Sequence, residues 1–183
     1  EPPFTPMEAR VKELLPDPPG WAYEPKWDGF RVVAWSSPVR LDSRNEKPLL
    51  RYFPELSPAL ESLPDGTVVD GEVLVVRDDV SSFDALQNRI HPAESRITML
   101  SQETPARLVA FDLLAHAGVD VRERPFAERR GLLETLVPTL NDAWHLTPST
   151  TDLETGKRWF RDFEAAGCDG IVALGGGSVL DSG

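Results

Sequence analysis

Thiols and imidazoles are scarce in this chain of 183 residues, which holds one cysteine and three histidines. Cys168 can form no internal disulfide, which agrees with a reducing compartment, and its apolar surroundings read as those of a buried, inert thiol. His91, His116 and His145 show no ligand spacing, so no metal is assigned to them. No apolar run approaches the roughly 18 to 20 residues that span a bilayer, and Glu1-Pro2-Pro3-Phe4 lacks the basic-then-apolar pattern of a secretion signal. A cytoplasmic protein with no membrane partner is expected. Positive charge is short as well: 19 Lys and Arg stand against 30 Asp and Glu, for a formal charge of −11. Phosphate neutralisation supplies most non-specific DNA affinity, so this balance predicts weak DNA binding. A glycine-rich phosphate loop and a regular β-α-β pattern are also missing, which disfavours P-loop and dinucleotide-binding folds.

What is present suffices for one domain with a real core. Five Trp, eight Phe and a good supply of Val and Leu argue for a globular chain. The acids are spread over apparent helices and loops, whereas Arg31, Arg40, Arg44, Lys47 and Arg51 fall close together. That group is either a local basic surface or a set of ordinary solvated charges.

Helical spacing runs from Met7 to Leu15, until Pro16-Asp17-Pro18-Pro19-Gly20 stops it. Further helices are expected over Phe53–Leu63, with Leu56, Leu60 and Leu63 on one stripe, over Ser82–Arg89 with Ser82 as cap, and over Pro92–Leu100. Phe126–Val137 and Asp152–Ala166 complete the helical set, the latter carrying Leu153, Phe160 and Phe163. Strands are expected over Phe30–Trp35, Val39–Asp42, Thr67–Val76, Leu108–Ala115 and Asp169–Leu174. Helices and strands in this order predict the α+β class.

Alternation along Thr67–Val76 puts Asp70 and Glu72 on a side shared with Val68, Leu74 and Val76. An acid on such a face needs a partner. A structural arginine is the commoner one, and a nucleotide ribose with a metal is the other. In the following strand Phe111 is expected to point away from Asp112, where it either fills the core or stacks on a flat ligand.

The segment Glu24-Pro25-Lys26-Trp27-Asp28-Gly29-Phe30-Arg31 places a lysine amine just ahead of an acid and a glycine. Alone it reads more readily as a solvated turn than as a phosphate site. Four segments follow it in order: Ser43-Arg44-Asn45 with Phe53-Pro54-Glu55-Leu56, then Asp70-Gly71-Glu72, Ala110-Phe111-Asp112, and Asp169-Gly170-Ile171-Val172. Together they resemble the covalent nucleotidyltransferases, and Ser82-Phe83-Asp84-Ala85-Leu86-Gln87-Asn88-Arg89 is most similar to bacterial ATP-dependent DNA ligases of the end-joining group, ligase C type.

The resemblance implies the adenylation-domain fold, antiparallel sheets packed with helices in an ATP-grasp-like arrangement, over residues 1–174. It implies that Lys26 forms a lysyl-AMP adduct from ATP with release of pyrophosphate. A lysine attacking a phosphate must be neutral, yet an amine of pKa about 10.4 is neutral in fewer than roughly one molecule in a thousand at pH 7. Burial and a magnesium or manganese ion would favour the neutral form. By the same resemblance Phe111 stacks on adenine, Arg31 and Glu72 hold the ribose, Glu24 contacts adenine through its main chain or side chain, and Glu72 and Asp169 hold the metal. Arg44 matches the arginine that contacts the nick phosphate, although a surface charge is its plain alternative. The implied partners are ATP, nicked or broken double-stranded DNA and end-joining repair proteins.

Two departures stand out. Asp169 replaces the family's glutamate, and Leu174 stands where its last strand carries lysine. Residues 175–183 read as a flexible tail, and the next family strand and OB-fold domain do not follow. The chain alone is therefore expected not to seal a nick. A catalytically idle nucleotide- or partner-binding module is the alternative, and an RNA ligase or capping-type enzyme a subordinate one.

Overall fold

The computed structural model describes residues 4, 7, 8, 10, 14–17, 19–163 and 167–175. Its largest element is a mostly antiparallel sheet. Strand β2 (Phe30–Ser36) pairs on one side with β3 (Val39–Ser43) and on the other with β4 (Val68–Arg77), which pairs in turn with β6 (Ala106–His116). Short strands β5 (Val80–Ser81) and β7 (Val119–Asp120) pair antiparallel with the ends of β4 and β6. The remaining strand of this sheet, β8 (Trp144–Leu146), lies parallel to β6. It returns through α4 (Phe126–Leu136), a crossover that the sequence pattern did not predict. A separate two-stranded ribbon joins β1 (Trp21–Trp27) to β9 (Cys168–Gly175), from Trp21 opposite Gly175 to Lys26 opposite Gly170.

The core fills one face of the sheet. Val69, Val73 and Val75 of β4 and Leu108, Ala110 and Leu113 of β6 pack against Leu56, Leu60 and Leu133. Segment 53–63 does bury the predicted leucines, but it forms a 3-10 turn (Pro54–Leu56) followed by the short helix α1 (Ser57–Glu61). Pro54 and Pro58 each lack an N–H for a continuous helical ladder. Helix α2 (Phe83–Gln87) starts where expected, the Ser82 hydroxyl accepting from the Ala85 N–H at 3.3 Å. It leads to α3 (Glu94–Glu103).

Two glycines are set by close approach. A Cβ at Gly71 would collide with the Val109 carbonyl, and one at Gly29 with the Val73 carbonyl and the Leu74 side chain. The Asp-Gly pairs of the sequence thus mark places where backbones touch.

Strict alternation fails in β6. Asp70 lies opposite Asp112 and Gly71 opposite Ala110, so Phe111 is an extra residue, and Leu114 is another between Ala115 and Leu113. These are bulges, and each shifts the inward phase by one. The core positions run Leu108, Ala110, then Leu113, while Leu114 and Ala115 both join a smaller cluster with Val33 and Val68. Phe111 therefore does not point away from Asp112, contrary to the sequence expectation.

Helix α5 (Leu153–Asp162) is capped by Asp152 and exposes Phe160, which the sequence had placed on an apolar stripe. Residues 9 and 11–13 of the expected helix over 7–15 lie outside the described residues, and those of its residues that are described take no regular form. Residues 176–183 of the expected tail are also outside them, and Gly175 belongs to β9. Among the described residues no helix is long and apolar enough to cross a membrane.

Candidate active site

Strand β1 brings Glu24 and Lys26 to one face, since residues two apart in a strand point the same way. Its partner β9 brings Asp169 alongside, and the Lys26 Nζ lies 2.7 Å from the Asp169 Oδ2, with both side chains about half exposed. Glu72 of β4 accepts a hydrogen bond from the Gly29 N–H at 3.2 Å. Burial pushes Glu72 up to about 7, against the pull of the Gly29 N–H and the Lys26 charge. Asp28 is also raised, first by burial and then by the charge of Asp169. Cys168 sits among these groups, its thiol pushed up to about 11 by burial and then by the Asp169 charge, which fits the inert thiol expected.

Arg31 and Phe111 meet on the same sheet face. The Arg31 guanidinium grips fully buried Asp70 with two hydrogen bonds, at 3.1 and 2.7 Å, and lies 5.3 Å from the Phe111 ring centroid. The two acids of β4 thus divide: Asp70 takes the structural arginine, and Glu72 is left facing Lys26. Burial raises Asp70 to about 6, with the Arg31 pair opposing it.

Glu24 is buried, and its carboxylate lies 3.0 Å from Arg130 of α4. Burial pushes it up to about 7, the Arg130 charge being the main opposing influence. Next to it, Arg129 holds Asp112 through two bonds, at 2.8 and 2.9 Å. These two arginines were missed as site residues. The signal was present, because positions 126, 129, 130, 133 and 136 have the spacing of one helix face, and all five are buried.

Arg44 is exposed and paired with Glu8, away from these contacts. The basic group seen in the sequence is largely neutralised, with Arg31 on Asp70, Arg40 on Asp42 and Arg44 on Glu8.

A lysine, two carboxylates and an arginine-backed aromatic ring are groups that suit a nucleoside triphosphate, and comparison with known proteins gives the family. The ATP dependent DNA ligase domain family matches residues 4–178. The chain belongs to this family. It is similar to DNA ligase C2 of Mycolicibacterium smegmatis, at 51% identity over 94% of this chain and 49% of that protein. With DNA ligase C of Mycobacterium tuberculosis the identity is 49%, over 94% of this chain and 49% of that protein. Among solved structures, the ligase domain of M. tuberculosis LigD superposes with a TM-score of 0.69 at 28% identity, over 87% of this chain and 48% of that one. A mycobacterial DNA ligase D complexed with ATP and MES gives 0.67 at 29% identity, over 87% and 49%. The chain spans about half the length of the curated relatives it matches.

Proposed function

We propose that residues 1–174 are the nucleotidyltransferase unit of an ATP-dependent DNA ligase, in which Lys26 takes AMP from ATP as the first step of sealing nicked or broken double-stranded DNA. The observation that carries this reading is the placement of Lys26 on a ribbon facing Glu72, with Phe111 and Arg31 on the sheet below. Lys26 leaves the Asp169 pair, gives one proton to solvent and attacks the α-phosphorus as the neutral amine; the phosphorus–nitrogen bond forms as the bond to pyrophosphate breaks, and the second amine proton passes to solvent. Phe111 offers a flat face to adenine, and Glu72 offers oxygens to the ribose. The Glu24 side chain is committed to Arg130, so its contact with the base runs through the main chain.

A divalent magnesium or manganese ion fits the donor set. Among the described residues no group of three or more ligand side chains forms a cage. Magnesium commonly takes only one or two carboxylates and completes its shell with phosphate and water, and Glu72 and Asp169 supply that pair. Such an ion would screen the triphosphate. Arg44, exposed on its turn, is proposed to meet the nick phosphate as a two-pronged donor. DNA ends and end-joining repair proteins are the proposed partners, in a cytoplasmic setting.

Intact mass measurement after incubation with ATP and magnesium tests the reading. Addition of one AMP, absent in Lys26→Ala, is expected; an adduct that persists in that variant refutes the assignment. The idle-module reading is favoured by one observation, Leu174 in place of lysine, and absence of any adduct alongside retained ATP binding would select it.

A further inference from the structure

The ladder between β1 and β9 is irregular at the residue that matters: the register shifts between Lys26 and Trp27. The ribbon alone therefore fixes the lysine poorly. Both flanks of Lys26 are instead held from outside the ribbon, and both attachments lead to Arg130.

On one flank, Glu24 receives a hydrogen bond from the Arg130 Nη1 at 3.0 Å. On the other, the Trp27 indole N–H donates to the Thr147 hydroxyl at 2.9 Å, and the carbonyl of the same threonine accepts from the Arg130 Nη2 at 2.7 Å. Thr147 is in turn docked on the large sheet, its N–H donating to the Ala110 carbonyl at 3.0 Å. The Arg130 Nε completes the set on Glu134, one turn along the helix, at 2.8 Å. A planar fork with fixed donors spans such a set of acceptors, whereas a flexible ammonium does not. Arg129 beside it serves the sheet through Asp112 and has no bond to the ribbon.

We infer that Arg130 is the positioning residue for Lys26: by holding Glu24 and the Thr147 carbonyl together, it sets where β1 presents the amine above Glu72. This rests on the reading of Lys26 as nucleophile. Arg130 makes no hydrogen bond or cation–π contact with Phe111 or Arg31, and it holds Glu24 by the side chain, not by the main chain proposed to meet the base. Its removal should therefore slow the transfer step more than it weakens ATP binding. Burial raises the Glu24 carboxyl and the Arg130 charge opposes it, so loss of Arg130 favours the neutral acid.

The test uses the full chain, Arg130→Ala, Arg130→Lys, Glu24→Gln and the Glu24→Gln/Arg130→Ala double variant. Thermal melting checks folding, calorimetry gives the ATP Kd, and intact mass gives the rate of adduct formation at saturating ATP. Arg130→Ala should form adduct about 10- to 100-fold more slowly, the cost of a misplacement near 1 Å, with Kd changed by less than about threefold. Arg130→Lys should fall between, and the double variant should be no slower than Arg130→Ala, because the two residues act as one strut. An unchanged rate, a loss confined to Kd, or independent multiplication of the two defects overturns the inference. If Arg130→Ala does not fold, Arg130→Lys decides, and a wild-type rate there overturns it. A wild-type chain that forms no adduct defeats the nucleophile reading and this inference with it; an active wild type with unaltered variants defeats this inference alone.

Discussion

On one face of β4, Val69, Val73 and Val75 are sealed into the core, none more than 1% exposed; on the other, Asp70 and Glu72 lie among arginines, a lysine and a second acid. β6 is divided in the same way, with Leu113 on the core side and Asp112 on the charged side. The comparison teaches that burial does not separate the two faces, since Asp70 and Asp112 are as inaccessible as the valines. What separates them is satisfaction. An apolar side chain needs only to be covered, whereas each buried acid needs a named partner, and the face that supplies such partners is also the one that can bind a charged substrate.

The sharpest way to break this comparison is to remove one member of a buried pair. Asp112→Ala leaves the Arg129 guanidinium without its carboxylate and should destabilise the fold by about 3 to 5 kcal/mol. Its neighbour Leu113→Ala, which leaves a cavity, should cost a similar ~2 to 5 kcal/mol by a different cause. Urea unfolding with both chains separates the causes: Asp112→Ala combined with Arg129→Met should recover much of the loss, while no second polar change rescues Leu113→Ala. Failure of the double variant to recover stability would place Asp112 with the ordinary core residues.

The reach of the sequence ended at this same boundary. β4 and the Ser82 cap were legible because β-branched runs and capping hydroxyls act locally, through neighbours one to three residues away. The ribbon strand β1 was not, because Pro25 and the polar residues Glu24 and Lys26 break the apolar pattern, and its pairing with β9 closes across most of the chain. The bulges that turn Phe111 and Asp112 to one face leave no mark in composition. Lys26, Glu72, Arg31, Phe111 and Asp169 were expected from motif order, and the structure sets Lys26 beside Asp169 and Arg31 beside Phe111. Arg130 was not: the helix-face spacing marks it as inward, but its acceptor Glu24 lies 106 positions away and no local rule couples the two.

A change of pH sharpens the contrast without a mutation. Glu24 and Glu72 are pushed to about 7 and Asp70 to about 6, all by burial, against ordinary values of 4.5 and 3.8. The folded chain therefore binds protons that the unfolded chain has already released, and this contribution to stability is present at mildly acid pH and lost as the pH rises through 6 to 7. Urea midpoints should be higher near pH 5 than near pH 8, and Glu72→Gln should flatten the difference. A midpoint that rises with pH across this window would contradict the assignment.

Phe111 tests whether the charged face also binds. If its ring receives adenine, Phe111→Ala should weaken ATP binding by about 1 to 3 kcal/mol, on the scale of aromatic stacking with a base. Calorimetry together with a melting curve checks it. Lower stability with unchanged ATP affinity would return Phe111 to a packing role beneath Arg31.

The smallest effect on stability is expected where the site is most exposed. The Lys26 and Asp169 side chains are 50% and 49% accessible, so their ion pair is screened by water and should contribute no more than about 1 kcal/mol. Asp169→Ala should therefore melt within a few degrees of the wild type. Its effect on chemistry is expected to run the other way, because Asp169 is proposed, with Glu72, to share a metal ion with the triphosphate, and AMP adduct formation should fall sharply. The Asp169→Glu variant restores the family's usual acid at this position and should retain activity. If Asp169→Ala unfolds the chain but leaves the adduct rate of the surviving folded fraction intact, the carboxylate is a strut and the metal is held elsewhere. A stable but inactive protein would instead show that the exposed pair, nearly silent in folding, is set aside for the reaction.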